Sequence, residues 1–229
     1  MHQKLAPGQE NGEDGRMTAA TRSYGGETAE QRRDRRRAAL LDAALDLYAE
    51  GGASAVTKRA VCGRARLNDR YFYEHFADRD AILDAVAQDV TARGLEVVVP
   101  AALAPAPDVR GQIHAAVDAA ITFVTDDHRR GQLLLNSQAA EVVQRARTTS
   151  THTIAVVMAE MTRDLLGDKA PDQVDGDMAA YAAVSGVMEL VAAWLRGEFD
   201  TTREHLVDLV TAMLTAGMDL APHLRTEID

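Results

Sequence analysis

The sequence is poor in the residues that build cross-links, metal cages and aromatic cores. It has one cysteine, Cys62, in 229 residues. No internal disulfide can form, and nothing points to an oxidising compartment. The seven histidines are scattered, with no His-x3-His or Cys-x2-Cys spacing, so no metal or other cofactor is expected. No apolar run approaches the ~18–20 residues of a membrane span. The opening stretch, MHQKLAPGQENGEDGRM, lacks the apolar centre of a secretory signal. The cytoplasm is the simplest location, with no membrane partner. Nucleophile elbow, phosphate-binding loop and dinucleotide fingerprint are all missing, so no enzyme chemistry is expected. Aromatics are scarce too: four Phe, five Tyr and one Trp. Yet Tyr71, Phe72, Tyr73 and Phe76 crowd together in LNDRYFYEHFADRD, residues 67–80.

Charge is unevenly spread. The chain carries a net −10, but residues 32–79 hold 11 basic and 7 acidic groups, net +4. Residues 80–229 hold 11 basic and 23 acidic, net −12. A basic head on an acidic body suits a polyanionic partner better than the whole-chain value suggests.

Hydrophobic spacing is helical almost throughout, and the expected fold is all-α with about nine helices. Residues 1–30 have no apolar period and read as a flexible arm. A first helix from Gln31 places Leu40, Leu41, Ala44, Leu45 and Tyr48 on one face and stops at Gly51-Gly52. Thr57 and Asn68 are N-cap residues for two short helices, and the pairs Val56/Val61 and Leu67/Phe72 have staple spacing. Helix, tight turn and helix within about 20 residues is the helix-turn-helix layout, whose second helix enters a DNA major groove. A fourth helix runs from about residue 79 to 98. PAALAPAPD, residues 100–108, reads as a connector. Helices are then expected at about 109–126, 129–147, 150–167, 172–197 and 202–220, the last with capping-box spacing at Thr201 and Glu204. The division is therefore arm 1–30, helix-turn-helix domain 31–80, and body 81–229.

The aromatic cluster now has a reading. On a helix capped by Asn68, Phe72 and Phe76 share a face and can pack on the first helix. Asp69, Arg70, Tyr71, Tyr73 and His75 fall toward other faces, where burial without partners would be costly. Duplex DNA offers partners: phosphates for Tyr and His, guanine acceptors for Arg.

Residues 37–83 resemble the DNA-binding domain of the TetR family of bacterial transcription regulators. The resemblance is carried by LYAEGG, then FYEHF, then RDAIL. It implies that Thr57, Lys58, Asn68, Tyr73 and His75 meet phosphates, that Arg79 touches the backbone beyond, and that Asp69, Arg70 and Tyr71 face bases. Arg22, Arg36 and Arg37, with Arg32, Arg33 and Arg35, would follow the backbone or enter a minor groove. One departure is Arg66, which stands where the family has a glycine of positive φ, at roughly 1 kcal/mol.

For the body, two tasks remain: pairing and sensing. Ala182, Ala183 and Gly186 give a small-residue surface on the long helix. Leu206, Leu209, Val210, Met213 and Leu214 give an apolar stripe on the last, suited to a four-helix bundle made by two chains. Candidate walls of an effector pocket are Phe123, Leu133, Met158, Met161, Met188 and Trp194, with Gln138, His152 and Glu189 as polar handles. The resemblance implies a homodimeric repressor that binds a near-palindromic double-stranded DNA operator and is released by a small-molecule effector. A second reading stays open: a homodimeric small-molecule-binding protein with a weakened head, suggested by Arg66 and the bulky Arg70-Tyr71 pair.

Overall fold

The computed structural model describes residues 27–135 and 141–227. Among them there are nine α-helices and no strand. α1 is Ala29–Ala55, α2 Lys58–Ala65, α3 Asp69–Tyr73, α4 Arg79–Leu103 and α5 Val109–Thr125. α6 is His128–Leu135, α7 Glu141–Leu166, α8 Gln173–Leu195 and α9 Arg203–Glu227, with a short 3-10 turn at Gly167–Lys169.

α1 begins with a full capping box. Thr28 accepts from the Gln31 amide, and the Gln31 side chain accepts from the Thr28 amide. The helical path breaks at Gly51 and Gly52, where Gly52 takes φ 67°. That conformation needs no Cβ, so the chain can turn back and lay α2 across α1.

α1 to α4 share one core. Leu40, Ala44 and Tyr48 pack with Val56, Val61, Phe72, Phe76, Ile82 and Val86. Val142 and Val143 of α7 join the same cluster. The first turns of α4 thus belong to the head core, while the rest packs on α5 and α7. A second core unites α5, α8 and α9 through Val117, Ile121, Val191, Leu206 and Val210. A smaller one joins α7 to α8 through Ala155, Ala159, Ala180 and Val184.

Several boundaries differ from the sequence expectation, including the end of α9 at Glu227 rather than near 220. α4 does not stop before Pro100 but runs on to Leu103, with Pro100 inside its last turn, where it lacks the amide that would donate to the Glu96 carbonyl. α7 is a single helix from 141 to 166 where two were expected, meeting near residue 150. The run Thr148-Thr149-Ser150-Thr151 lies within it. Inside the helix Thr148 donates to the Gln144 carbonyl and Thr153 to that of Thr149, so these hydroxyls are satisfied without ending it. α9 is capped by Thr202, which accepts from the His205 amide, one residue later than the expected box.

α8 is long and apolar enough to cross a membrane by length and composition, unlike the sequence reading in which no run approached that length. In the folded chain it packs on α7 and leaves one face uncovered.

Candidate nucleic-acid interface and effector cavity

The geometry of α3 is set by the residues before it. Thr57 caps α2, accepting from the Ala60 amide at 3.2 Å. Arg66 ends α2 in the left-handed region, φ 54° and ψ 42°, and its amide returns to the Cys62 and Gly63 carbonyls. An arginine therefore makes the turn usually given to glycine, at a local cost of ~1–2 kcal/mol. Asn68 then caps α3 by accepting from the Arg70 amide at 3.0 Å.

This entry angle divides α3 into two faces. Phe72 and Phe76 point inward, with ring centroids 5.8 Å apart. Asp69, Arg70 and Tyr73 point outward, Tyr73 being 61% exposed. Lys58 Nζ lies 2.8 Å from Asp69 and 5.0 Å from the centroid of the Tyr73 ring, joining α2 to α3 on the exposed side. The hydrogen bond from Lys58 holds the Asp69 carboxyl below the usual range and raises the ammonium above its own. Arg70 pairs with Glu74 at 3.1 Å. Cys62 is buried beneath, and burial pushes its thiol up, which keeps it inert.

The arginines expected at DNA divide. Arg36 is turned onto α3: its guanidinium carbon lies 4.6 Å from the centroid of the Tyr71 ring and a nitrogen lies 3.7 Å from Glu74. It shares a helix face with Leu40 and Ala44, at i+4 and i+8, so it works as a clamp between α1 and α3. Arg37 is exposed, 5.7 Å from the Phe76 ring centroid. Arg79 pairs with the neighbouring Asp80 at 3.3 Å. His75 is half-buried. Burial, then the charges of Arg33 and Arg36, lowers its pKa, so it offers a neutral imidazole at pH 7. Arg22 and Gln138 lie outside the described residues.

Residues 40–86 match the model for bacterial regulatory proteins of the tetR family. The head belongs to the TetR family. Solved structures extend the likeness over both parts of the fold. A chain described as a transcriptional regulator from Pseudomonas aeruginosa PAO1 superposes with a TM-score of 0.66 at 17% identity, covering 83% of this chain and 93% of that one. The transcriptional regulator FadR from Bacillus subtilis, in complex with stearoyl-CoA, gives 0.65 at 15% identity, covering 79% and 98%. A TetR-like transcriptional regulator from Rhodococcus sp. RHA1 gives 0.55 at 19%, covering 81% and 94%. At such identities these likenesses establish the fold alone: a TetR-type head on a TetR-like helical body.

Between α4, α5, α6, α7 and α8 lies a cavity of about 100 Å³. Of the expected pocket residues it gathers Leu133 and Met188. Phe123 stands just behind, under the Arg130 guanidinium at 4.0 Å. Met158 packs in the α7–α8 core and Trp194 in the α5–α8–α9 core, its indole N–H donating to the Thr201 carbonyl. Met161 is half-buried on α7 and does not line the cavity. His152 is exposed beside Tyr181, and Glu189 is exposed in ion pairs with Arg147 and Arg196. The sequence reading missed Thr91, Arg130, Arg147 and Ser150, which supply the polar part of the lining. Val143, Arg147 and Ser150 stand at i, i+4 and i+7, one face of a helix, and an unbroken α7 would have exposed that pattern.

The expected pairing surface also divides. Ala182, Gly186, Leu209 and Met213 are exposed, and Ala183 and Leu214 are half-buried. Leu206 and Val210, at 2% and 0% exposure, are spent on the chain's own α5–α8–α9 core and present no surface to a partner. The period of α9 turns them inward, while Leu209 and Met213 turn out.

Proposed function

We propose that the chain is a homodimeric TetR-type transcription regulator, a repressor, that binds a near-palindromic operator through α2 and α3 and releases it when a small molecule occupies the body. The observation that carries this is the two-faced α3. Its inner rings anchor it to α1, and its outer side offers Arg70, Tyr73 and Asp69 beside Lys58 at the start of α2. Such a helix suits a major groove, with the N-terminus of α2 against phosphate.

Pairing is supported by the uncovered apolar face of α8, where Val174, Met178 and Tyr181 continue into Ala182 and Gly186, and by Leu209 and Met213 of α9. Patches of this kind on a folded chain mark interaction surfaces. Two heads about one helical turn apart, ~34–36 Å, would read a palindrome.

The second reading, a weakened head, has one observation in its favour: Lys58 and Arg70 are already paired within the head. Exposed pairs of this kind are weak in water and do not withhold either cation from phosphate or guanine. The test is a selection of binding sites from random duplexes, followed by gel shifts on the recovered site. Nanomolar, symmetric and sequence-selective binding supports the regulator. Micromolar binding that vanishes with salt on every duplex supports the weakened head. Arg70→Ala should change which site is preferred; an unchanged preference would remove its base-reading role.

A further inference from the structure

The proposed DNA-contacting helix ends on a carboxylate. Glu74 caps α3 at its C-terminus and stands between Phe72 and Phe76, whose buried rings fix the backbone on either side of it. Its position favours neither the helix nor the binding of DNA. A negative charge at a helix C-terminus opposes the helix dipole, and arginine before glutamate at i and i+4 is the weaker order of such a pair. Beside a duplex the same charge would repel phosphates.

Two arginines engage Glu74. Arg70 Nε donates to Oε1 at 3.1 Å. Oε2 lies 3.7 Å from a terminal nitrogen of Arg36, an ion pair rather than a hydrogen bond. The Arg36 guanidinium in turn stacks on Tyr71, and its own Nε is buried. Glu74 is thus steadied from α1, with its side chain 32% exposed, whereas the Arg70 side chain is 84% exposed. An exposed arginine samples many rotamers and loses that freedom on docking. Bonded through Nε, the Arg70 guanidinium keeps its end-on pair of terminal nitrogens, which have no hydrogen bond among the described residues. Such a pair matches N7 and O6 of guanine.

We propose that Glu74 is a positioning residue for base reading: it aims the Arg70 fork at one guanine in each half-site. Glu74 does not itself read a base, since both its oxygens already face guanidiniums. The inference rests on the reading of α3 as the DNA-contacting helix, and deepens it by naming the base and the residue that orients the contact.

The experiment uses the full chain. A site is selected from random duplexes and then varied one base pair at a time in gel shifts. The wild type should prefer one guanine per half-site by roughly tenfold or more. Arg70→Ala should abolish that preference. Glu74→Ala should reduce it at least about threefold at the same position and leave the other positions unchanged. Glu74→Gln, whose amide oxygen still accepts from Nε, should keep most of it. Glu74→Asp, which keeps the charge and loses the reach, should behave as Glu74→Ala and serves if that variant fails to fold. In an Arg70→Ala background, Glu74→Ala should change no preference. Tighter binding of Glu74→Ala to every duplex with base preferences intact would make Glu74 merely repulsive, and uniformly weaker binding would make it merely structural. Either result overturns the proposal, as does a Glu74→Ala effect on preference that persists without Arg70. A wild type that selects a site with no guanine sensitive to Arg70 overturns it too, and leaves the regulator reading standing. A wild type that selects no site sinks that reading, and this inference with it.

Discussion

Arg129 joins the body to the head, and its removal makes a prediction with a worked magnitude. Its guanidinium on α6 reaches Asp42 at 2.9 Å and Asp46, both on α1, and Asp127 at 2.8 Å. Asp46 in turn meets Arg64 of α2 at 3.5 Å, so one carboxylate links α6 to the helix-turn-helix. Hydrogen bonds from the Arg129 side chain, reinforced by its backbone amide, hold Asp127 at about 2 against an ordinary 3.8. At 1.36 kcal/mol per unit that shift corresponds to ~2.4 kcal/mol. Asp127 is 18% exposed, and screening trims the figure to ~1–2 kcal/mol. Because the folded-state value is depressed, this contribution is complete above pH ~4 and is lost as the pH falls toward 2, with about half gone by pH 3. Arg129→Met should therefore lower stability by ~2–3 kcal/mol at pH 6, the remainder coming from Asp42 and Asp46. The gap between wild type and variant should narrow by ~1 kcal/mol at pH 3. Urea unfolding followed by circular dichroism at fixed protein concentration measures both values. A gap that stays constant from pH 6 to pH 3 would refute the assignment of the stabilisation to Asp127.

Three further outcomes follow from local geometry. At Arg66, φ 54° penalises a β-branched side chain most, so Arg66→Val should cost ~1–2 kcal/mol and Arg66→Asn should be neutral or slightly stabilising in thermal melts. Met213→Glu should convert a dimer to monomers in light scattering without unfolding the chain, whereas Val210→Ala should cost ~1–3 kcal/mol of stability, because Val210 is fully buried within the chain and Met213 is 55% exposed. Phe72→Ala should lose ~3–5 kcal/mol from the head core, while Tyr73→Phe should leave melting unchanged and weaken binding to all duplexes alike, read by gel shift on matched and random DNA.

The head was more legible in the sequence than the body, for a physical reason. Its elements are short and end at residues with strong local preferences: Gly52 at positive φ, Thr57 and Asn68 as caps, Asp78 as cap of α4. Each of those signals acts within three residues, so spacing alone locates them. The body is made of long helices whose ends are set by packing. Thr148 to Thr151 lie inside α7 because α4 and α8 cover it on either side, and no local rule reports that. The same holds for side-chain direction. Leu206 and Leu209 are both apolar and close in sequence, yet one is enclosed by α5 and α8 and the other faces out. Periodicity gives the stripe; only the neighbouring helix tells which part of it the monomer uses. Arg36 is the instructive case in the head. Composition placed it in a basic cluster, whereas its register with Leu40 and Ala44 places it against Tyr71.

The distribution of ion pairs changes what the basic head means. Lys58, Arg64, Arg70 and Arg79, together with Arg35 and Arg36, each have a carboxylate partner within the head or at its entry. Arg32, Arg33, Arg37, Arg59 and Arg66 have none among the described residues. Long-range attraction to a duplex depends on net charge, so the second group supplies what the first has neutralised. The first group does something else. The Lys58–Asp69 pair and the Arg36–Tyr71 stack hold α3 against α2 and α1 before any DNA arrives. A helix already in position loses less entropy on docking, and a solvent-exposed pair yields readily to a phosphate. On the proposed reading, Lys58 and Arg36 would orient α3 and the unpaired cations would attract the DNA backbone. On that division, replacing Arg59 should change the salt dependence of binding, while replacing Asp69 should change the posture of α3 and with it the choice of sequence.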